Sequence, residues 1–335
     1  MHNQTEEYIH FSFITDEILD FFGLLFKLIF NPALGVAGIT LNFINTMVFF
    51  KMGLGDGVTQ NFCILSISDG VFASVALINS VAYVLQKTVI CEAGGIELEI
   101  QRVYWGSFFA VTFPQNVSLI TTVVIAVVRC CCVAMPLRVK FVLTAKRQLA
   151  AILILSSAAI FVLVYVFSPM KTIYLRNPQT NKRFAVLVGY HWGIYTLFAS
   201  VTFYTSFITV IVCVVILSIN LSRSSRFRET SASGSSNYDS DGRRDTRVVK
   251  TVVLVAAVFV CCLTPHLLFS LIKVFIAEFS PKGRYRNENQ LFLMVSETFL
   301  LLNTIVNIFI YLIFNTRYLK TFKTLFGKDK MTSKF

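Results

Sequence analysis

The sequence points to an all-α membrane protein, a seven-transmembrane helix bundle with a short amphipathic eighth helix. Two observations carry this. Of 335 residues, 55% are hydrophobic and only 14% charged, with a mean hydropathy of +0.69; a soluble domain carries about a quarter charged residues. The apolar residues also fall into seven long blocks, which marks membrane spans rather than one oversized core.

The spans read as Leu28–Phe50, Val58–Leu85, Val103–Met135, Leu149–Phe167, Gly193–Leu221, Val248–Ile276 and Leu291–Phe314. Each approaches or exceeds the roughly 20 residues needed to cross the hydrocarbon layer. They must be helices, because lipid offers no partner for backbone N–H and C=O groups. Residues 1–27 read as an extracellular tail, 28–314 as the bundle, and 315–335 as an amphipathic helix and cytoplasmic tail. Along Asn315–Phe326, Tyr318, Leu319, Phe322 and Phe326 alternate with Arg317, Lys320 and Lys323, a pattern suited to a lipid surface.

An odd number of spans puts the termini on opposite sides, and loop charge then sets direction. Net charge is +12, and Lys and Arg gather on the side of the C-terminus, at Lys51, in Arg223–Lys250 and in the tail. The opposite side holds Glu6, Glu7, Asp16, Glu17, Glu92, Glu97 and Glu99. The N-terminus is therefore expected outside, with the protein multi-pass in the plasma membrane. Met1–Ser12 lacks a basic segment before an apolar one, so span one is expected to act as an uncleaved signal anchor. Asn3-Gln4-Thr5 is a glycosylation sequon on the outer side. Residues 222–247 are rich in Ser, Arg and Asp, too polar to bury, and are expected to be a disordered third intracellular loop with serines open to kinases. In a membrane protein the basic excess reads as Lys and Arg of the inner side, so nucleic acid is not an expected partner.

Polar groups inside spans are costly and usually functional. Here Asn42, Asp69, Ser118, Asn303 and Asn307 form a small set, with Asn303 and Asn307 four apart on one helix face. One carboxylate with neutral oxygens around it suits a small cation such as Na⁺ at Asp69, or a water cluster; interhelical hydrogen bonding is the alternative reading. No other metal or cofactor is expected.

The motifs around these residues resemble the rhodopsin-like (class A) G-protein-coupled receptors from about Leu28 to Phe326. Leu41-Asn42-Phe43-Ile44-Asn45 is similar to Gly-Asn-x-x-Val, and Leu65-Ser66-Ile67-Ser68-Asp69 to Leu-Ala-x-x-Asp. Val128-Arg129-Cys130 with Pro136 resembles Asp-Arg-Tyr with its trailing Pro. Phe259-x-x-Cys262-Leu263-Thr264-Pro265 resembles Phe-x-x-Cys-Trp-x-Pro, and Asn303-x-x-x-Asn307-Ile308-x-x-Tyr311 resembles Asn-Ser-x-x-Asn-Pro-x-x-Tyr. The resemblance implies a sodium pocket at Asp69, Ser118, Asn303 and Asn307. It implies G-protein coupling through Arg129, restrained by Asp245 at the base of span six, a hinge at Pro265 and inward movement of Tyr311. Departures are Tyr104 for the outer Cys, Leu263 for Trp, Ile308 for Pro, and the missing Trp of span four and Pro of span five. Such a divergent set resembles invertebrate orphan, chemosensory or FMRFamide-receptor-like groups.

The same resemblance places Val111, Gln115, Asn116, His266, Ser270 and Glu297 around a ligand pocket in the outer half of the bundle. Val111 stands where amine receptors keep an Asp, which disfavours a monoamine; Glu297 can pair a basic ligand, bond His266 or bond a neighbouring helix. The implied partners are an extracellular peptide or small molecule, a heterotrimeric G protein, arrestin and kinases, and membrane lipid. The alternative is a seven-helix transporter or ligand-gated channel, for which repeats and rows of pore charges are lacking. An enzyme is excluded by the absence of His-Glu-x-x-His and Walker motifs and by a histidine supply of four, His2, His10, His191 and His266.

Overall fold

A computed structural model describes residues 13–88, 96–134, 143–176, 183–188, 191–231, 239–280 and 283–327. Seven helical stretches among them are long and apolar enough to cross a membrane: Asp16–Met52, Gly57–Gln86, Glu99–Cys132, Ala145–Phe167, Leu197–Ile219, Ala257–Phe275 and Arg286–Phe314. They are spans one to seven. Their outer surfaces are apolar, with Phe43, Ile154 and Phe161 among the exposed large side chains. In water such a belt would be a liability; against lipid tails it is the stable arrangement.

Span one starts twelve residues earlier than its apolar block, at Asp16, so the expected tail of residues 1–27 is helical over its last part. Thr15 caps it, its hydroxyl accepting from Ile18 N–H. A π-helical turn, Leu25–Phe30, interrupts it, and Asn31 N–H then reaches back five residues to Phe26 O. The extra residue per turn rotates what precedes it relative to Asn31–Met52. Span three breaks at Val111, between helices Ile96–Ala110 and Thr112–Ala134. Within 222–247, expected to be a disordered loop, the helix that carries span five continues to Ser231 and the helix that carries span six begins at Asp239. Arg and Glu are good helix formers, so a polar segment of this composition can be helical.

Between spans four and five, β1 (Lys171–Arg176) pairs antiparallel with β2 (Arg183–Val188), in register from Lys171↔Val188 to Arg176↔Arg183. After span seven, Asn315 caps the terminal helix Thr316–Phe326 by accepting from Tyr318 N–H at 3.0 Å. The cores divide by level. Near the C-terminal face, Val48, Phe49, Phe62, Leu65, Ile308, Tyr311 and Tyr318 pack together. Midway, Leu119, Phe203, Val210, Cys213, Phe259, Leu263 and Leu267 join spans three, five and six.

Candidate functional site

Asp69 on span two is 1% exposed, so its carboxylate faces the interior. Ser118 Oγ on span three donates to Asp69 Oδ1 at 2.6 Å, and Asn307 Nδ2 on span seven donates to Oδ2 at 3.0 Å. Three helices therefore meet at one buried acid, the arrangement that offsets its desolvation. Ser118 Oγ also lies 2.8 Å from Ser68 Oγ. Asn42 is buried but does not join them. Its Nδ2 donates to Gly38 O and Thr304 O, each at 2.9 Å, which ties span one to the backbone of span seven. Gly38 permits that approach, since a Cβ there would meet Thr304 Oγ1 at 3.1 Å.

A cavity of about 30 Å³ opens beside the acid, lined by Asp69, Ser118, Asn303 and Thr304 at its polar end. Gln115, Phe203, Phe259 and Leu263 line the rest. Of the residues expected at a ligand pocket, Gln115 reaches this cavity and keeps Nε2 buried without a partner. His266 packs its ring, tilted by 39°, against the cavity wall at Phe203 with centroids 4.4 Å apart, and its Nδ1 is likewise unpartnered. Asn116 bonds Thr112 O in its own helix at 2.8 Å, Ser270 bonds His266 O at 3.0 Å, and Val111 packs toward Phe72 and Leu301. Glu297 is taken by Lys27 of span one, Nζ to Oε2 at 2.5 Å.

The profile of the "7 transmembrane receptor (rhodopsin family)" matches residues 46–311. The chain belongs to the rhodopsin family of seven-transmembrane receptors. The receptor's fold matches the crystal structure of squid rhodopsin, with a TM-score of 0.65 at 14% identity over 93% of this chain and 82% of that one. No curated protein matches the chain in a sequence search. Family membership makes it a G-protein-coupled receptor and not an enzyme; no cluster of three His, Cys, Asp or Glu able to hold a metal occurs among the described residues.

At the receptor's C-terminal face, Arg129 is half-buried one turn before the end of span three. The side chain of Asp245 lies outside the described residues, as does Asn3. Nearby, Asp56 opens span two. Its Oδ1 accepts from Val58 N–H at 3.2 Å, and its Oδ2 accepts from Thr59 N–H at 3.3 Å and Thr59 Oγ1 at 2.7 Å. Burial pushes the Asp56 carboxyl up, but these bonds and the Arg129 charge outweigh it and hold the group below its ordinary value. Arg317 of the terminal helix lies 4.0 Å from Asp56 and donates to Met52 O at 2.7 Å. Pro265 sits inside a continuous helix. Tyr311 is fully buried, with its hydroxyl unpartnered and its ring against Phe49, Phe62 and Tyr318 at 5.2, 4.9 and 5.5 Å.

Three polar contacts of the receptor escaped sequence reasoning. Lys27 lies just before the apolar block of span one, yet it is 3% exposed. Tyr318, expected on the lipid-facing stripe of the terminal helix, donates its hydroxyl to Asn45 Oδ1 at 2.5 Å with both residues fully buried. The signal was Asn45 itself, an amide where the resembling motif has Val. Asn61 donates to Gln148 Oε1 at 2.8 Å, and Gln148 donates to Leu143 O at 2.8 Å, so a pair of amides ties span four to span two.

Proposed function

We propose that the chain is a plasma-membrane receptor with its N-terminus outside, which binds a neuropeptide or a chemosensory small molecule within the outer half of the bundle. Binding there activates a heterotrimeric G protein at the inner face around Arg129. The observation that supports this best is the buried Asp69–Ser118–Asn307 junction directly beside a cavity that also reaches Gln115 and Phe203. A ligand pressing on Phe203 or Gln115 acts on the wall of the same cavity that holds the acid.

Asp69, Ser118 and Asn303 fit a sodium ion: one carboxylate and two neutral oxygens surround a space larger than the ~15 Å³ that one water needs. The ion would tie spans two, three and seven together and favour the resting state. Asn307 holds the carboxylate, and Asn42 braces span one against the same level. On the inner side, Arg129 engages the G protein once Asp245 releases it, Pro265 supplies the hinge and Tyr311 turns inward. The terminal helix lies on the inner leaflet, arrestin and kinases act on the Ser-rich segment, and Asn3 carries a glycan. Divergent motifs favour an invertebrate orphan, chemosensory or FMRFamide-receptor-like group.

A G-protein readout and a conductance readout in the same cells test this against the transporter or channel reading. Arg129→Ala should abolish G-protein activation with surface expression retained. A ligand-evoked current that survives without G proteins would refute it.

A further inference from the structure

Lys27 is an unusual residue to bury on the first helix of a membrane bundle. The π-helical turn Leu25–Phe30 carries it, and its side chain is 4% exposed. Nζ donates to Glu297 Oε2 on span seven at 2.5 Å and to Asn79 Oδ1 on span two at 3.1 Å. Asn79 Nδ2 in turn donates to Tyr104 O and Ser107 Oγ on span three, each at 3.1 Å. Four spans meet around one ammonium. A buried ion pair adds little stability over a well-packed apolar pair, so stability alone does not account for this one. π turns of this kind are frequent at functional sites.

The two charges are unequally hidden. The Glu297 side chain is 26% exposed, and its Oε1 makes no hydrogen bond among the described residues. A group reaching this pair from outside the protein therefore meets the carboxylate first, while the ammonium stays shielded. Tyr104 itself packs against Tyr83 and Trp105, ring centroids 6.0 and 5.3 Å apart. Tyr104 and Tyr195 lie within reach of the Glu297 charge. Gly23 keeps room for this wall, since a Cβ there would meet the Tyr83 hydroxyl at 2.5 Å. A half-open carboxylate with two tyrosines within reach of its charge is the chemistry that receives a cation.

We propose that Lys27 is a resident counter-ion for Glu297, and that the receptor's ligand carries an ammonium or guanidinium group that binds Glu297 in competition with it. The inference rests on the reading that the ligand enters the outer half of the bundle. A neutral ligand would leave the pair untouched, and an anionic one would have to reach a lysine that the fold conceals. Displacing Lys27 also loosens spans one and two from span seven, which gives ligand entry a mechanical consequence.

The test uses the full-length receptor in lipid nanodiscs and reads its thermal unfolding. The probes are short amidated peptides containing arginine, each paired with a twin in which citrulline, equal in shape and uncharged, replaces arginine. Arginine members should stabilise the receptor and their twins should not. Lys27→Met should lower the concentration needed by about tenfold, the effect of removing a competitor worth one decade of affinity. Glu297→Gln should erase the arginine preference. Because that change alone strands Lys27, the Lys27→Met/Glu297→Gln double variant, which leaves neither charge of the pair, should be equally indifferent. Equal responses to arginine and citrulline, no response to any peptide, or no gain in Lys27→Met would overturn the proposal. G-protein activation by the same peptides separates the two ideas: arginine-selective binding without activation removes the signalling reading alone, and activation without arginine preference removes only the counter-ion.

Discussion

The seam between spans one and seven and the seam between spans five and six are built from different forces. Polar contacts mark the first from end to end. Asp16 bridges Arg286 at 3.0 Å and Asn287 at 2.8 Å, Lys27 meets Glu297, Thr298 donates to Asn31 at 2.7 Å, and Asn42 donates to Thr304 O. Asn45 receives Tyr318 just beyond. The two ionic rungs lie eleven residues apart on both helices, Asp16 to Lys27 and Arg286 to Glu297. Eleven residues make about three turns, so two parallel helices return the same faces to each other. The other seam is filled by Phe203, Val210, Cys213, Phe259, Leu263 and Leu267, with a long hydrogen bond from Tyr204 Oη to Leu267 O at 3.4 Å. Dispersion contacts re-form as helices slide, whereas hydrogen bonds buried away from water must break. The first seam is the frame, and the second is where movement costs least.

The largest test of that contrast is Glu297→Gln. It leaves a buried ammonium without its anion and should cost about 3–5 kcal/mol in thermal or denaturant unfolding. Lys27→Met in the same chain should return most of that loss. If both variants unfold like the native receptor, the ionic rung holds nothing. Next is Asn45→Val, which strands the buried Tyr318 hydroxyl at about 1–3 kcal/mol; adding Tyr318→Phe should restore stability, because removing both partners is nearly neutral. Losses that simply add would mean the two residues do not communicate. Asp69→Asn removes the only carboxylate lining the cavity among the described residues, and sodium should then no longer shift the unfolding temperature. A retained sodium shift would place the ion elsewhere. The smallest effect belongs to Tyr204→Phe on the apolar seam, expected within about 0.5 kcal/mol of the native value; a larger loss would show that this seam too is held by hydrogen bonding.

Seven spans and the meeting of Asp69, Ser118 and Asn307 were legible because block length and spaced polar residues in apolar helices carry direct physical meaning. Asn42 was legible as an interior amide, but not that it would choose backbone carbonyls on two helices over the acid. Lys27 was hidden for a definite reason. A hydropathy block ends at the first charge, so the residue that anchors the bundle mouth reads as the edge of a loop. A π turn then alters which face it presents, and no residue pattern announces such a turn. The helix that carries span six runs further than its apolar block, because polarity alone says a segment avoids burial, not that it avoids helix. Asp56 is a similar case. It reads as a loop charge, yet it caps span two and sits below its ordinary ionisation range. Its contribution to stability therefore stands at neutral pH and is lost only as pH falls through that lowered value.

Paired spin labels give the most direct measurement of frame against moving part. One pair joins the ends of spans one and seven nearest the terminal helix, the other the ends of spans three and six on that same face, and both are read in lipid nanodiscs with and without nucleotide-free G protein. The first distance should change by no more than about 1–2 Å, the scale of small interface shifts, and the second by several times that. Separation of spans one and seven by as much as spans three and six would contradict the division of the bundle into a hydrogen-bonded frame and an apolar, yielding side.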